Sequence, residues 1–263
     1  MEQEKPDSFL LGEVWEDGSN KIAYSRRRRY LLGRETHGLM NYPLRTAALD
    51  YIRGGSAAAF RDTMEEQREN YPPAAFYSGL NILGTHDTPR ILTLLGADAI
   101  PDSKEARVAY HLSPEARQLA VRRLTLAAML LYTFPGSPTL YYGDEAGMEG
   151  FEDPMNRRGF PWGREDRRLL ALYRTLGKLR KERRSLQSGD ITYLTADGGL
   201  LIYRRTLDGE STYTALNTGG TTRTVTLPWK NGFAMDAVSM QQFWVRNGEL
   251  RIDLPPCDGV VLV

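Results

Sequence analysis

Two carboxylates stand within three residues of the end of a short apolar run, where a parallel α/β protein presents its catalytic groups. Glu13 follows residues 9–12 in the segment LGEVWED, and Asp87 follows residues 80–84 in the segment LGTHDTPR. The carboxyl ends of parallel strands meet at one edge of the sheet, which carries the active site in such folds. Carboxylate pairs break glycosidic bonds, so the two runs together favour glycoside chemistry. Taken alone, each acid is more often a helix cap or a surface group.

Side chains near the two acids suit the binding of a sugar ring. Apolar neighbours, among them Trp15, can partly desolvate Glu13 and keep it protonated, as a general acid requires. Trp15 also offers an aromatic face, while His86 and Arg90 offer donors for sugar hydroxyls. On this reasoning Asp87 is the partner base or nucleophile. The plainer alternative makes Asp87 the cap of the next helix and His86 a loop histidine with a satisfied hydrogen bond.

Strand-length apolar runs alternate with helical patterns through the first 188 residues. The runs occupy residues 9–12, 39–42, 80–84 and 139–143. Ser113 and Pro114 begin one predicted helix, which ends at the turn of residues 134–136, and a second helix is expected over about 166–184. Strands separated by helices predict a parallel sheet. A (β/α)8 barrel needs eight units over about 250 residues, so about four units predict half a TIM barrel or a small open sheet.

The pattern changes at residues 188–190. Beyond them helical periodicity stops, and short strands are indicated at residues 191–193, 200–203, 212–216 and 222–227. Asp208-Gly209 and Asn247-Gly248 are strong hairpin turns. We therefore predict an α/β domain over residues 1–188 and a small antiparallel β-sandwich over residues 189–263, packed directly against it.

Five segments resemble the α-amylase superfamily, glycoside hydrolase family 13, in order and in spacing. GEVWED is similar to the segment around the family's acid/base glutamate, and LGTHDTPR to the later segment whose His and Asp bind the sugar. GLMNYPL resembles the sixth barrel strand, and FPGSPTLYYGDEAGM the eighth strand with its turn. EDPMNRRGFPW resembles a loop of the neopullulanase and cyclomaltodextrinase branch. The resemblance implies barrel strands five to eight, followed by the family's C-terminal sandwich.

The resemblance assigns a role to each matching side chain. Glu13 would protonate the leaving oxygen and then deprotonate the incoming water or sugar. Asp87 would bind hydroxyls of the ring at the scission point and stabilise an oxocarbenium-like transition state, rather than act as the base or nucleophile. His86 would hydrogen-bond the same ring, and Trp15 would pack near the acceptor sugars. A further pair in the last segment would hold sugars on the non-reducing side, namely Asp153 and Arg157.

The family's nucleophile has no counterpart in this sequence. It is an aspartate after the fourth strand, in a pattern like G-x-R-x-D, and neither residues 159–161 nor Arg167 fit a relocated copy. The Asp-x-x-x-Asn-His motif of strand three is also absent. Since a retaining glycosidase needs both groups, we predict a fragment of an α-glucan hydrolase acting on maltodextrins, cyclodextrins or pullulan, with at most trace activity alone. The exposed edges and inner face of a half barrel predict self-association.

Two other functions compete with this prediction. The first is a naturally truncated, non-catalytic protein that binds glucan or a partner, although such a protein has no need of an acid/base. The second is a metal-dependent hydrolase that uses Glu13, His37, His86 and Asp87, but the histidines, which include His111, lack the H-x-x-x-H spacing of zinc sites. No metal or other cofactor is expected, with calcium left open for the longer parent.

Bulk composition restricts the partners and the compartment. The formal net charge of +1 among 263 residues gives no reason to expect nucleic acid or an anionic membrane, and residues 26–29, four arginines, suit a solvated helix face. No run of about 18 apolar residues is present, and the amino-terminal segment lacks the apolar core of a signal peptide. The single cysteine fits a reducing compartment, so we expect a cytoplasmic protein.

Overall fold

The computed structural model describes residue 5, residues 7–230 and residues 232–263. The signal-peptide prediction falls partly on residues 1–4 and 6, which lie outside the described residues. The strands of the first part are β1 Leu11–Gly12, β2 Ile22–Ala23, β3 Arg26–Arg27, β4 Gly38–Asn41, β5 Leu80–Ile82 and β6 Ser137–Thr139. Its helices are α1 Tyr42–Ile52, α2 Ala57–Asn70, α3 Pro73–Ser78, α4 Ile91–Gly96, α5 Lys104–Ala109, α6 Pro114–Thr133, α7 Arg167–Glu182 and α8 Arg184–Ser188.

Four of these strands form a parallel sheet in the order β1-β4-β5-β6. Leu11 pairs with Gly38, Met40 with Leu80, and Asn81 with Pro138, always in the parallel sense. Helices α1 to α3 connect β4 to β5, and helices α4 to α6 connect β5 to β6. All four strands therefore deliver the residues that follow them to one edge of the sheet.

The first connection differs from the predicted strand–helix unit. Between β1 and β4 the described chain forms the antiparallel β2–β3 hairpin and a kinked helical turn at Tyr30–Arg34, in which Gly33 has a φ of 79°. The predicted helix face at residues 26–29 is therefore wrong, because Arg26 and Arg27 form an exposed strand of the hairpin. Four consecutive arginines give a helix no apolar stripe to bury, so the pairing of Arg26 and Arg27 with the preceding strand decides the local structure.

The two long helices confirm the sequence prediction closely. The Ser113 hydroxyl accepts a hydrogen bond from the Ala116 amide at 3.2 Å, and Pro114 opens α6, which ends before Phe134. Helix α7 buries one stripe of its surface. That stripe consists of Leu169, Leu172, Tyr173, Leu176 and Leu179. The two helices pack against each other, and α6 also packs against β6 of the parallel sheet.

The fourth parallel strand lies earlier than predicted. Residues 139–143 were expected to form it, but β6 covers Ser137–Thr139, and turns follow. Gly136, at a φ of 108°, reverses the chain directly after α6, so that Ser137 already pairs with Leu80. The aromatic residues after Thr139 therefore belong to the loop at the carboxyl edge of the sheet.

The second part is antiparallel. Its strands are β7 Asp190–Asp197, β8 Leu200–Leu207, β9 Glu210–Asn217, β10 Arg223–Pro228, β11 Phe233–Met235, β12 Gln242–Trp244, β13 Glu249–Leu254 and β14 Asp258–Leu262. One sheet has the order β14-β9-β8-β7, while β10 pairs with β13 and β11 with β12. Asp208 and Gly209, at φ values of 48° and 83°, form the predicted turn between β8 and β9. Asn247 and Gly248 likewise have positive φ values, of 54° and 79°.

Apolar side chains link the two parts of the chain. One cluster lies between the four-stranded antiparallel sheet and the β10–β13 pair, with Ile202, Val225 and Ile252 among its members. A larger cluster contains residues of α1, α2, α6 and α7 together with Tyr203 of β8 and Val261 of β14. The core is therefore continuous across residues 188–190. None of the described helices is long and apolar enough to cross a bilayer.

Candidate active site

The loops that follow the parallel strands bring the predicted side chains to one edge. Glu13 follows β1, Tyr42 follows β4, and His86 and Asp87 come shortly after β5. The loop after β6 adds Tyr142 and its neighbours. This is the geometry expected of parallel α/β architecture, in which the residues after each strand meet at the carboxyl edge.

Glu13 is held by a tyrosine that sequence reasoning did not single out. The Tyr42 hydroxyl donates to Glu13 Oε1 at 3.0 Å, and the Trp15 ring stacks on the Tyr42 ring with a centroid distance of 4.2 Å and an angle of 15°. Burial raises the pKa of Tyr42, and a hydrogen bond with Glu13 adds to the rise while one with Thr85 opposes it. The phenol therefore remains a donor at neutral pH.

The expected desolvation of Glu13 is wrong for this structure. Glu13 is exposed, while its neighbour Val14 is buried in the core, because successive residues after β1 point in opposite directions. Trp15 is 51 % exposed and presents an aromatic surface close to Glu13. Glu13 thus faces solvent beside the stacked rings of Trp15 and Tyr42, and a bound substrate would cover it.

Asp87 lies within a small charged cluster. Arg157 Nη2 donates to Asp87 Oδ1 at 3.0 Å, and His86 Nε2 lies 3.3 Å from Asp87 Oδ2. The Asp87 amide donates to the Thr85 hydroxyl at 3.2 Å, which fixes the backbone of the loop. Helix α4 begins at Ile91 with Arg90 at its cap position, so Asp87 is not a helix cap.

The loop after β6 supports this cluster from one side. Arg157 Nη1 lies 3.4 Å from Asp153 Oδ2, and Arg157 Nε donates to the His86 carbonyl at 2.9 Å. The buried Asn156 side chain donates to the carbonyls of His86 and Thr88 at 2.7 and 2.8 Å. The structure therefore brings together the predicted residues Asp87, His86, Asp153 and Arg157. Asn156, which the sequence analysis missed, positions the loop that carries His86 and Asp87.

Arg90 does not lie at the exposed site, where the sequence analysis placed it. Its side chain is 0 % exposed, so it cannot donate to a sugar hydroxyl at the surface. Arg90 Nη1 instead lies 3.2 Å from Asp144 Oδ1, in an ion pair, and also donates to the Tyr142 carbonyl. The Arg90 guanidinium lies 4.4 Å from the centroid of the Tyr141 ring. The physical reason is packing, because α4 turns this side chain beneath the site, between the β5 and β6 loops.

Asp144 is the second member of a buried ion pair. Burial raises its pKa to about 7, although the charge of Arg90 acts in the opposite direction. Gly84 leaves space for it, since a Cβ there would lie 2.3 Å from Asp144 Oδ2. Arg45 donates to the Leu83 carbonyl at 2.7 Å and adds a second positive charge to this layer. The layer joins the β5 and β6 loops below the exposed site.

The residues of the metal-dependent alternative do not come together. His37 precedes β4, at the amino edge of the parallel sheet, and its Nδ1 accepts a hydrogen bond from the Leu10 amide at 2.7 Å. His86, Asp87 and Glu13 lie at the carboxyl edge. Among the residues with described positions, no three or more His, Cys, Asp or Glu side chains form a group that would hold a metal ion.

Fold and site together define a class, the α/β proteins that bind substrates where parallel strands end. Comparison with known families is specific, since residues 1–164 match the family described as "Alpha amylase, catalytic domain". The chain belongs to the α-amylase family of glycoside hydrolases.

Individual relatives agree with this membership. The chain is 33 % identical over 286 residues to the amylopullulanase of Thermoanaerobacter thermohydrosulfuricus, covering 98 % of this chain and 18 % of that protein. It is 30 % identical over 260 residues to the cyclomaltodextrinase of Geobacillus thermopakistaniensis (strain MAS1), covering 96 % and 39 %. The crystal structure of an Anoxybacillus α-amylase superposes with a TM-score of 0.79 at 26 % identity, covering 100 % and 54 %. The chain thus spans less than half the length of these two curated relatives.

Proposed function

We propose that this chain carries the acid/base and the transition-state-stabilising carboxylate of a retaining α-glucan hydrolase acting on maltodextrins, cyclodextrins or pullulan. Glu13 protonates the glycosidic oxygen and later removes a proton from the attacking water. Asp87, with His86, binds the hydroxyls of the sugar ring and stabilises its developing positive charge. Trp15 supplies an aromatic face for the leaving sugars.

One observation supports this assignment most directly. The Tyr42 hydroxyl donates to Glu13 Oε1 at 3.0 Å, and burial raises the pKa of Tyr42 with help from the negative charges of both Glu13 and Asp87. Two acids that are 74 residues apart in the sequence thus act on one phenol. This places an acid/base and a charge-stabilising carboxylate near the same side chain, and the nucleophile of a retaining mechanism would be a third carboxylate.

The same proposal places the nucleophile outside these 263 residues. A retaining mechanism forms a covalent glycosyl intermediate on a second carboxylate, and Asp87 is assigned to stabilisation. Residues 1–188 then correspond to strands five to eight of a (β/α)8 barrel, and residues 189–263 to the sandwich that follows it. In this proposal the chain alone has at most trace activity and becomes a complete site with strands one to four.

Complementation tests the catalytic assignment. The chain is assayed for reducing sugar from maltodextrin and cyclodextrin, alone and co-expressed with the amino-terminal barrel part of the cyclomaltodextrinase relative. We expect turnover well below about 1 per second alone and activity on complementation. Glu13→Gln should abolish that activity. Glu16→Gln is the matched control, because Glu16 lies in the same segment, is exposed and pairs with Lys21.

Two outcomes would contradict the proposal. Turnover of about 1 per second by the chain alone shows that no external nucleophile is needed. Full activity of a complemented Glu13→Gln protein removes Glu13 from the acid/base role. The DNA upstream of the reading frame separates the fragment from a naturally truncated glucan-binding protein, because an in-frame continuation with the missing aspartate supports the fragment.

A further inference from the structure

The antiparallel part contains an open groove that shares no residue with the candidate active site. Its volume is about 870 Å³, and it lies where the β8–β9 hairpin approaches the end of β10. We call it the Trp229 groove, and define it by Arg183, Arg204, Glu210, Tyr213, Trp229 and Lys230. The volume is within the range of about 300–1,000 Å³ that is typical of ligand sites.

Two aromatic rings form the apolar surface of the groove. Tyr213 and Trp229 pack with their centroids 5.0 Å apart and their planes at 45°. The Trp229 indole donates its N–H to the Phe233 carbonyl at 3.2 Å. The one polar atom of this ring is therefore used within the protein, and the ring is held in one orientation. The groove accordingly presents fixed aromatic faces rather than a mobile side chain.

Charged groups surround these rings, and one of their donors has no partner. The Arg204 guanidinium lies 6.0 Å from the Tyr213 ring centroid, and its buried Nε finds no hydrogen-bond acceptor among the described residues. Two contacts hold the Arg183 side chain in place. Arg183 Nη2 donates to the Ser211 carbonyl at 2.7 Å, and Arg183 Nε lies 3.6 Å from Glu210 Oε1. Glu210 thus compensates one positive charge and brings a carboxylate acceptor to the groove.

We propose that the Trp229 groove is a second binding site for an α-glucan oligosaccharide, separate from the site around Glu13. This inference rests on the proposed function, which makes α-glucan the substrate. A sugar ring has an apolar C–H face and a rim of hydroxyls, which match the fixed rings and the mixed donors and acceptors. Basic side chains still outnumber the one acid, so the aromatic faces and not the charge carry the choice of a sugar, and inorganic phosphate is the competing ligand in the test.

A second site would act by raising the local concentration of polymer. When one stretch of a long glucan is held at the Trp229 groove, another stretch of the same molecule meets the Glu13 site as an intramolecular partner. The gain applies to long chains that reach both sites and vanishes for short oligosaccharides.

Indole N–H signals provide the test. The chain has four tryptophans, of which Trp229 lies in the groove and Trp15 at the candidate active site. We expect maltoheptaose to shift the Trp229 indole signal, and Trp229→Ala to weaken binding at this site about tenfold. Trp244→Ala is the matched control, because Trp244 is 70 % exposed but does not line the groove, and it should leave binding unchanged.

Further variants keep the two proposals distinguishable. Arg204→Gln should also weaken maltoheptaose binding while the circular dichroism spectrum stays unchanged, in case Trp229→Ala disturbs folding. Asp87→Ala should leave the Trp229 shift intact. If Asp87→Ala removes all binding, or Trp229 shifts with inorganic phosphate and not with maltoheptaose, the groove is not a glucan site. The complementation assay, which does not depend on the groove, tests the catalytic assignment separately.

Discussion

Tyr42 is the residue through which the two carboxylates of the site interact. Its hydroxyl donates to Glu13, its ring stacks on Trp15, and beside burial the charge of Asp87 helps to raise its pKa. A buried phenol can hold a fixed donor position without becoming charged itself. Tyr42 is therefore a positioning residue for the acid/base, and its own titration reports on both carboxylates.

Removing the Glu13 charge should lower the pKa of Tyr42. Burial is the main cause of the raised pKa and remains, but Glu13→Gln removes the negative charge that makes the phenolate unfavourable. The chemical shift of the Tyr42 ring carbon that bears oxygen, followed against pH, measures the change. Asp87→Asn should lower the same pKa by less, because it contributes charge without a direct hydrogen bond. Equal effects of both variants would contradict this geometry.

At the residue scale, the sequence predicted which acids and aromatic residues lie at the site better than it predicted which side chains are buried. The order of motifs placed Glu13, His86 and Asp87 at one edge, where the structure has them. It failed for Arg90, since spacing alone does not show which side of α4 faces inward. It also missed Tyr42 and Asn156, whose roles depend on contacts between loops far apart in the chain. The N-Y-P triplet at residues 41–43, directly after a strand, was the available signal for Tyr42.

The β5 and β6 loops are joined by the buried pair of Arg90 and Asp144. The pair lies under the exposed site, with the Tyr141 and Tyr142 rings against the guanidinium. Two elements that bear functional side chains thus share one rigid connection. A buried ion pair contributes little net stability, yet removing one partner leaves an uncompensated charge.

Arg90→Met should therefore destabilise the chain strongly. We expect a loss of about 3 kcal/mol in the free energy of unfolding at pH 8, where Asp144 is ionised, measured by urea denaturation. Arg184→Met is the matched control, because Arg184 pairs with Asp208 at 3.0 Å with both side chains about two-thirds exposed. The control should cost less than about 1 kcal/mol. Similar losses for both variants would show that the buried pair does not join the loops.

The raised pKa of Asp144 makes stability fall as the pH rises. Its folded value of about 7 exceeds the ordinary 3.8, so the folded protein holds a proton between about pH 4 and 7 that the unfolded chain has released. Stability from this group is then present at the acidic end and is lost on approach to pH 7. The Asn side chain of Asp144→Asn stays neutral and lacks this slope, so the unfolding free energies of parent and variant should lie closest at acidic pH and diverge as the pH rises toward 7. A constant difference between them would exclude the shift.

Element prediction succeeded where local chemistry decides the structure. Caps and apolar stripes determined α6 and α7, and Asp-Gly and Asn-Gly determined two turns. It failed in the β1–β4 connection, where a hairpin and a kinked turn stand in place of a helix, and at β6, where Gly136 shifts pairing by two residues. Both depend on how neighbouring strands pair, which single-sequence periodicity does not contain.

At the scale of the whole molecule, the parallel sheet has two open edges. Strands β1 and β6 each pair on one side only within the described residues. Leu10, beside β1, and Leu140, beside β6, are both exposed apolar side chains. An unpaired edge with apolar neighbours is a template for another chain.

We expect the isolated chain to self-associate through these edges. Sedimentation velocity over a range of micromolar concentrations should show a mass above that of the monomer, and Leu140→Lys should move the distribution toward the monomer. Ile100→Lys is the control, because Ile100 is an exposed apolar residue in a loop away from the sheet. A monomer at every concentration would mean that the edges are covered in another way.

The shared core also has a consequence for synthesis on the ribosome. Helix α6 packs against β14, and a Cβ at Gly259 would lie only 2.9 Å from the Leu126 side chain, so the last strand fits closely on a helix made more than a hundred residues earlier. Until β14 emerges from the exit tunnel, that face of α6 has no cover. The nascent chain therefore passes through a long interval in which this apolar face of α6 is open to a chaperone or to another chain.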